Sequence, residues 1–236
     1  MLRNNGVPLK PKVRMARLLE GIFGPIVGKL ANTVGYVRKG QAVLRMSPAK
    51  PKKKKARTPA QQAVNLKFKL VKAFISVING FTNVGFKLDV EGTTKIAQNN
   101  AVSYNIKDAI KGEFPDFELD YSKIIVSKGT LMPPLNPTVE LEDNQLRIKW
   151  EINPGLSRER RRDQVMMLAY LPVSKETSYV LSGARRTAGE DVLEIDYRKT
   201  DHYSQKKDTS IEVYVAFIAD DRQSISDSVY AGRIEL

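Results

Sequence analysis

The residues of this sequence with the clearest chemical potential are cations. Lys50, Lys52, Lys53, Lys54, Lys55 and Arg57 crowd into residues 47–57, broken by Pro48 and Pro51. Arg38, Lys39 and Arg45 precede them, and Lys67, Lys69 and Lys72 follow. Clustered cations displace condensed counterions from a phosphate backbone, so such a run can grip nucleic acid or another polyanion. Proline and self-repulsion favour an extended arm, which tracks phosphates but lacks the rigid geometry that reads base edges. The candidate site is therefore Arg38, Lys39, Arg45, Lys50, Lys52, Lys53, Lys54, Lys55 and Arg57. Tyr36 is the only tyrosine of this head and could stack on a base; with so few aromatics, backbone contact is favoured. Arg158, Arg160, Arg161 and Arg162 form a second cluster in a polar connection, a weaker candidate for anion contact. The competing reading of all these charges is a solvated surface that keeps the protein in solution.

Other chemistries are poorly supplied. The chain has no cysteine, which excludes disulfides, thiol catalysis and cysteine-ligated metals. His202 is the single histidine, in a Lys- and Asp-rich stretch that reads as surface. Gly28-Lys29 is followed by leucine and lacks the upstream glycine of a phosphate-binding loop. Asp116 with Asp120, and Asp220 with Asp221, read as turn carboxylates, because a metal site needs several convergent ligands. No cofactor, no metal and no catalytic residue is expected.

The 236 residues carry a net charge of +13, unevenly spread. Residues 1–75 hold 18 Lys and Arg against one acid, Glu20, whereas residues 76–236 are slightly acidic. The elements that must position the cations follow from pattern. Residues 12–23 read as a short basic amphipathic helix, with Val13, Ala16, Leu19 and Phe23 at helical spacing. Residues 33–37 and 41–45 read as a hairpin around a three-residue Arg38-Lys39-Gly40 loop. Thr58, Pro59 and Gln61 announce a helix start. Val64, Phe68, Val71, Ile75 and Ile78 follow as a core stripe, widened by Leu70, Phe74 and Val77. A second helix is expected over 94–111 and a strand over 117–126. Three prolines in residues 131–137 mark a linker. Beyond it, seven strand-like runs are expected at 138–141, 145–152, 164–171, 177–182, 192–197, 210–219 and 228–234. The expected architecture is an α+β N-terminal region (basic arm, hairpin, two helices) followed by an all-β immunoglobulin- or fibronectin-III-like sandwich. Its divisions are residues 1–57, 58–130, a linker at 131–137, and 138–236. Trp150 and Phe217 belong to the sandwich core. No run reaches the roughly 18 apolar residues of a membrane span, and no secretory leader is convincing.

An ordered set of short motifs runs through the chain. It comprises Gly28-Lys29-x-x-Asn32-x-Val34-Gly35-Tyr36-x-x-Lys39-Gly40, then Arg45, the lysine run and Arg57-Thr58-Pro59-x-Gln61. It continues through Ser103-Tyr104-Asn105, Tyr121-Ser122-Lys123 and Ser127-x-Gly129-x-Leu131, and ends in Ser226-x-Ser228-x-Tyr230-x-Gly232. This pattern resembles a domain-of-unknown-function family of basic bacterial proteins. The resemblance implies a bacterial or phage origin, which empties the lysine run of any meaning for nuclear import, and brings no catalytic residues with it. Two roles stay open. One is a non-catalytic binding protein whose residues 38–57 contact nucleic acid or an acidic protein surface while the sandwich meets a protein partner or itself. The other is a structural subunit of a virion or surface assembly whose arm docks on neighbours. The expected setting is cytoplasmic or virion-associated, with secretion left open.

Overall fold

A computed structural model describes residues 17–22, 24–49, 56–155, 157–195 and 208–236. These fall into two compact units, Met1–Ala56 and Arg57–Leu236.

In the first unit, strands β1 (Arg17–Ile22), β2 (Ile26–Leu30), β3 (Thr33–Arg38) and β4 (Gln41–Met46) form an antiparallel sheet in chain order. The expected helix over 12–23 is corrected where it is described: residues 17–22 are a strand paired with β2. The expected hairpin is present but tighter. Arg38 pairs with Gln41, leaving a two-residue Lys39-Gly40 turn. Both turn residues have positive φ, 47° and 77°, which matches the twist of the flanking strands. Gly35 is required for another reason: any side chain there would run into the Ile26 carbonyl.

The second unit opens with α1 (Pro59–Val77). The Thr58 hydroxyl accepts from the Gln61 amide at 3.3 Å, and the Gln61 side chain accepts from the Thr58 amide at 3.2 Å. This reciprocal cap satisfies two donors that a helix end otherwise leaves bare. Val71, Phe74, Ile75 and Ile78 are buried, as the stripe predicts. Val64 and Phe68 are not: they are 67% and 48% exposed, so the core begins only at the second half of the helix. A third helix that the pattern did not suggest, α2 (Asn79–Gly85), continues after Ile78 and buries Phe81. Helix α3 (Ala97–Asp108) lies inside the expected 94–111 span. The strand expected at 117–126 reduces to β6 (Glu118–Leu119), paired with β5 (Ile110–Lys111). Residues 121–123 turn instead as a short 3-10 helix, and Asn105 holds the following Ile125 amide at 2.8 Å.

Seven strands follow where seven were expected: β7 (Leu135–Glu142), β8 (Gln145–Glu151), β9 (Gln164–Leu171), β10 (Glu176–Val180), β11 (Glu190–Glu194), β12 (Ser210–Ile218) and β13 (Val229–Glu235). They make two open antiparallel sheets, ordered β10-β9-β12-β13 and β11-β8-β7. Residues 131–137 are not a free linker. Leu131 bridges Ser226, and β7 already begins at Leu135.

The four-stranded sheet is buried on both faces. Val165, Met167 and Ala169 with Ile211, Val213, Val215 and Phe217 meet Leu146, Ile148 and Trp150 of the other sheet. Met166, Leu168 and Tyr170 with Tyr214, Ala216 and Ile218 meet Phe74, Phe81 and Phe86 of the helical layer. Successive strand residues point to opposite faces, so β12 serves two cores at once and is buried along its whole length. Trp150 stacks edge-on against Phe217 at 5.7 Å and donates from Nε1 to the Arg186 carbonyl at 2.8 Å. Ile152, whose spacing continued the core pattern, lies past the end of β8 and is half exposed.

Candidate polyanion-binding site

The register of the first unit sorts its side chains onto two faces. Lys29 pairs with Val34, and Val34 with Arg45, so these three share one face. Alternation adds Tyr36 and Arg38 from β3, and Val43 and Gln41 from β4. Lys29 and Arg45 stand two strands apart, about 10 Å, with Val34 between them and Tyr36 one step along β3 on the same face. The Arg45 guanidinium sits over the Tyr36 ring, 5.8 Å from its centre. Lys29, Arg38 and Arg45 are exposed, and residues 24–49 contain no acid. This face can therefore take a row of phosphates, with the Tyr36–Arg45 pair as a flat platform for a sugar or base. The opposite face is apolar and also exposed: Leu30, Val37, Leu44 and Met46 range from 43% to 68% accessible.

The structure brings Arg38 and Arg45 onto one face, with Lys39 in the turn at its end. Arg57 is placed elsewhere, at the start of the second unit, where its carbonyl accepts from the Gln62 side chain at 3.1 Å. Lys50, Lys52, Lys53, Lys54, Lys55 and His202 lie outside the described residues. Lys29 was missed as a member of the site, although its position four residues before Thr33, across a tight turn, carried the register that reveals it.

The second arginine cluster lines a cavity of about 340 Å³ between the β8–β9 and β12–β13 loops. Arg158, Arg160 and Arg162 share the lining with Glu159, Asp163, Asp220 and Asp221, so the acids more than offset the arginines. At its floor Arg160 reaches Asp163 at 3.7 Å. Behind it, Arg186 is almost fully buried, paired with Asp163 at 3.3 Å and stacked 4.0 Å over the Phe217 ring. Burial pushes the Asp163 carboxyl above its usual range, more than Arg186 and Arg160 pull it down, and the same burial lowers Arg186. No local pattern distinguished Arg186 from its exposed neighbour Arg185. The acid pairs do not assemble: Asp120 bonds its own neighbours Ser122 and Lys123, and Asp221 caps the Gln223 amide. Among the described residues no group of His, Cys, Asp and Glu could hold a metal ion. Among them, too, no helix is long and apolar enough to cross a membrane.

A family model, DUF6266, described as a family of unknown function, matches residues 25–232. The chain belongs to it. The DUF6266 match takes in β2, β3, β4 and all but the last residues of the second unit, so the basic face is part of the family domain. No curated protein matches the chain. Among solved structures, the spore cortex lytic enzyme SleM of Clostridium perfringens aligns at 14% identity over 45% of this chain and 28% of that one. Its TM-score of 0.23 is too low to bear on fold or activity.

Proposed function

We propose that this DUF6266 protein is a non-catalytic binding protein whose N-terminal unit grips nucleic acid or another polyanion through backbone phosphates. One observation carries the reading: Lys29, Arg38 and Arg45 share an exposed face of a small sheet that has no acid between residues 24 and 49. The lysine run Lys52, Lys53, Lys54 and Lys55 lies a few residues beyond β4 in sequence and adds charge of the same sign. The second unit supplies the protein-facing half. Its seven strands, split three and four between two antiparallel sheets with a buried tryptophan, support an immunoglobulin- or fibronectin-III-like reading of residues 138–236.

The test is filter binding of the full chain to labelled single- and double-stranded DNA across a salt series. Binding without sequence preference is expected, with log K falling linearly against log salt. Replacing Arg38, Lys39 and Arg45 together by Gln is expected to weaken binding and flatten that slope by up to about 3 phosphates' worth. No binding at low salt, or an unchanged slope in the triple variant, overturns the proposal. The apolar face carrying Leu30, Val37, Leu44 and Met46 favours a second reading, a structural subunit whose arm docks on neighbouring copies. A regular, nuclease-resistant oligomer without salt-sensitive DNA binding would select it.

A further inference from the structure

A groove of about 350 Å³ opens at the edge of the helix–sheet core, where the end of α2 and the turn after it meet the β12–β13 loop. Its floor is apolar, built from Val84, Leu88, Ile218 and Ile225, and its rim carries two cations, Lys87 and Arg222. A polar extension of about 300 Å³ shares Leu88 and Ile225 and adds one acid, Asp89, which accepts from Asn100, and one further cation, Lys128, which pairs with Asp227. Neither rim cation forms an ion pair among the described residues. Arg222 is held by neutral acceptors only: Gln164 Oε1 at 2.7 Å, the Leu181 carbonyl at 3.4 Å and the Ser182 hydroxyl. These use three of its five N–H donors and leave a fixed, uncompensated guanidinium at the mouth of an apolar groove.

The backbone at Arg222 is the second observation. Its φ is +62°, within a tight turn in which its amide donates to the Ala219 carbonyl at 2.9 Å. Glycine or asparagine takes that conformation at lower cost than arginine does. The backbone of the turn does not need an arginine; the side chain ties the loop to Gln164, Leu181 and Ser182 and, held there, sets a cation at the groove. The chain's own basic N-terminal segment has the same charge sign as the rim, so it is not the occupant.

We propose that this groove binds a small amphipathic carboxylate, its apolar tail on Leu88, Ile218 and Ile225 and its carboxylate held by Arg222 and Lys87. A groove of this size lies at the small end of ligand pockets, which suits a medium-length chain. The site is independent of the polyanion face and belongs to the other unit.

The test is octanoate titrated into the full chain, followed by calorimetry and by amide chemical shifts. Butyrate and octan-1-ol serve as the short and the uncharged controls. Octanoate is expected to bind saturably, shifting amides of residues 84–88 and 222–225, with both controls at least about tenfold weaker. Arg222→Asn and Lys87→Gln are each expected to weaken octanoate about tenfold, as befits a lost charge-assisted hydrogen bond. Arg222→Asn suits the turn but gives up the bonds to Gln164, Leu181 and Ser182, so its melting temperature is measured alongside; Lys87→Gln, exposed and without such bonds, is the variant that separates lost binding from lost fold. The proposal is overturned if octan-1-ol binds as tightly as octanoate, or if shifts are confined to residues 29–45. It also fails if a variant combining Arg222→Asn and Lys87→Gln keeps full affinity, or if only a peptide with a C-terminal carboxylate saturates the groove.

Discussion

Phe68 and Phe74 lie on the same helix and in the same apolar stripe, yet they meet opposite surroundings. Phe74 is 2% exposed and stacks edge-on against Tyr170 at 4.8 Å, whereas Phe68 is 48% exposed. The cost of truncating each ring follows how completely its neighbours enclose it. Phe74→Ala is expected to destabilise by about 3–5 kcal/mol and Phe68→Ala by no more than about 1 kcal/mol, read by urea denaturation. Equal losses would mean that the first half of α1 is covered in solution. Arg186 makes the opposite point, that a buried charge is defined by its partner. Truncating it would take from Asp163 the nearer and the buried one of its two cations, leaving only the partly exposed Arg160, and empty the face of Phe217. Arg186→Ala is expected to cost about 3–5 kcal/mol in the same measurement. A loss under about 1 kcal/mol would show that water reaches Asp163 and solvates it.

The face of the four-stranded sheet turned toward the helices holds a group of tyrosines. Tyr214 donates to the Tyr121 carbonyl at 2.8 Å, Tyr230 donates to the buried Glu212 at 2.6 Å, and Arg233 reaches the same carboxylate. Burial is the leading cause that raises the phenol pKa of Tyr121, Tyr170, Tyr214 and Tyr230 above the ordinary value of 10.0. In the unfolded chain these phenols ionise near that value; in the folded chain they keep their protons to higher pH. Their contribution to stability is therefore complete below pH 10 and is lost as pH climbs through the raised values. Alkaline titration is expected to release these four phenols together with unfolding, seen as a phenolate absorbance step coincident with loss of helix signal. Ionisation of all nine tyrosines near pH 10 with the fold intact would contradict the burial of these four. The sequence carried the strands themselves, because alternation in Leu146, Ile148 and Trp150 and in Ile211, Val213, Val215 and Phe217 has only one stable solution. It did not carry the second use of β12. Tyr214, Ala216 and Ile218 look like an ordinary outer face until the helices are packed against them. Residues 17–22 failed for a related reason: a short apolar run suits a helix or a strand equally, and only pairing with β2 decides it. At the candidate site, Arg38 and Arg45 were legible from the hairpin, while Lys29 needed the register of β2 against β3.

At the scale of the whole molecule, a sheet shared by two cores has a thermodynamic consequence. A proline-rich stretch at residues 131–137 reads as a boundary between a helical region and a sandwich. Across that stretch, however, Ser127 donates to the Ser226 carbonyl at 2.9 Å and the Gly129 amide to Asp227 at 2.9 Å. Met166, Leu168 and Tyr170 line the helical core while Val165, Met167 and Ala169 of the same strand line the other. Neither core can lose its shared strands and survive, so Arg57–Leu236 should unfold as one cooperative body. Trp150, the single tryptophan, reports from the sheet–sheet core, and far-ultraviolet ellipticity is dominated by the helices. The two signals are expected to give superimposable urea transitions. Phe74→Ala, which touches only the helical core, is expected to move the Trp150 transition by the same amount as the helix transition. If the helix signal shifts while Trp150 fluorescence stays at its parent midpoint, the helices and the sandwich are separate domains, and the shared sheet does not couple them.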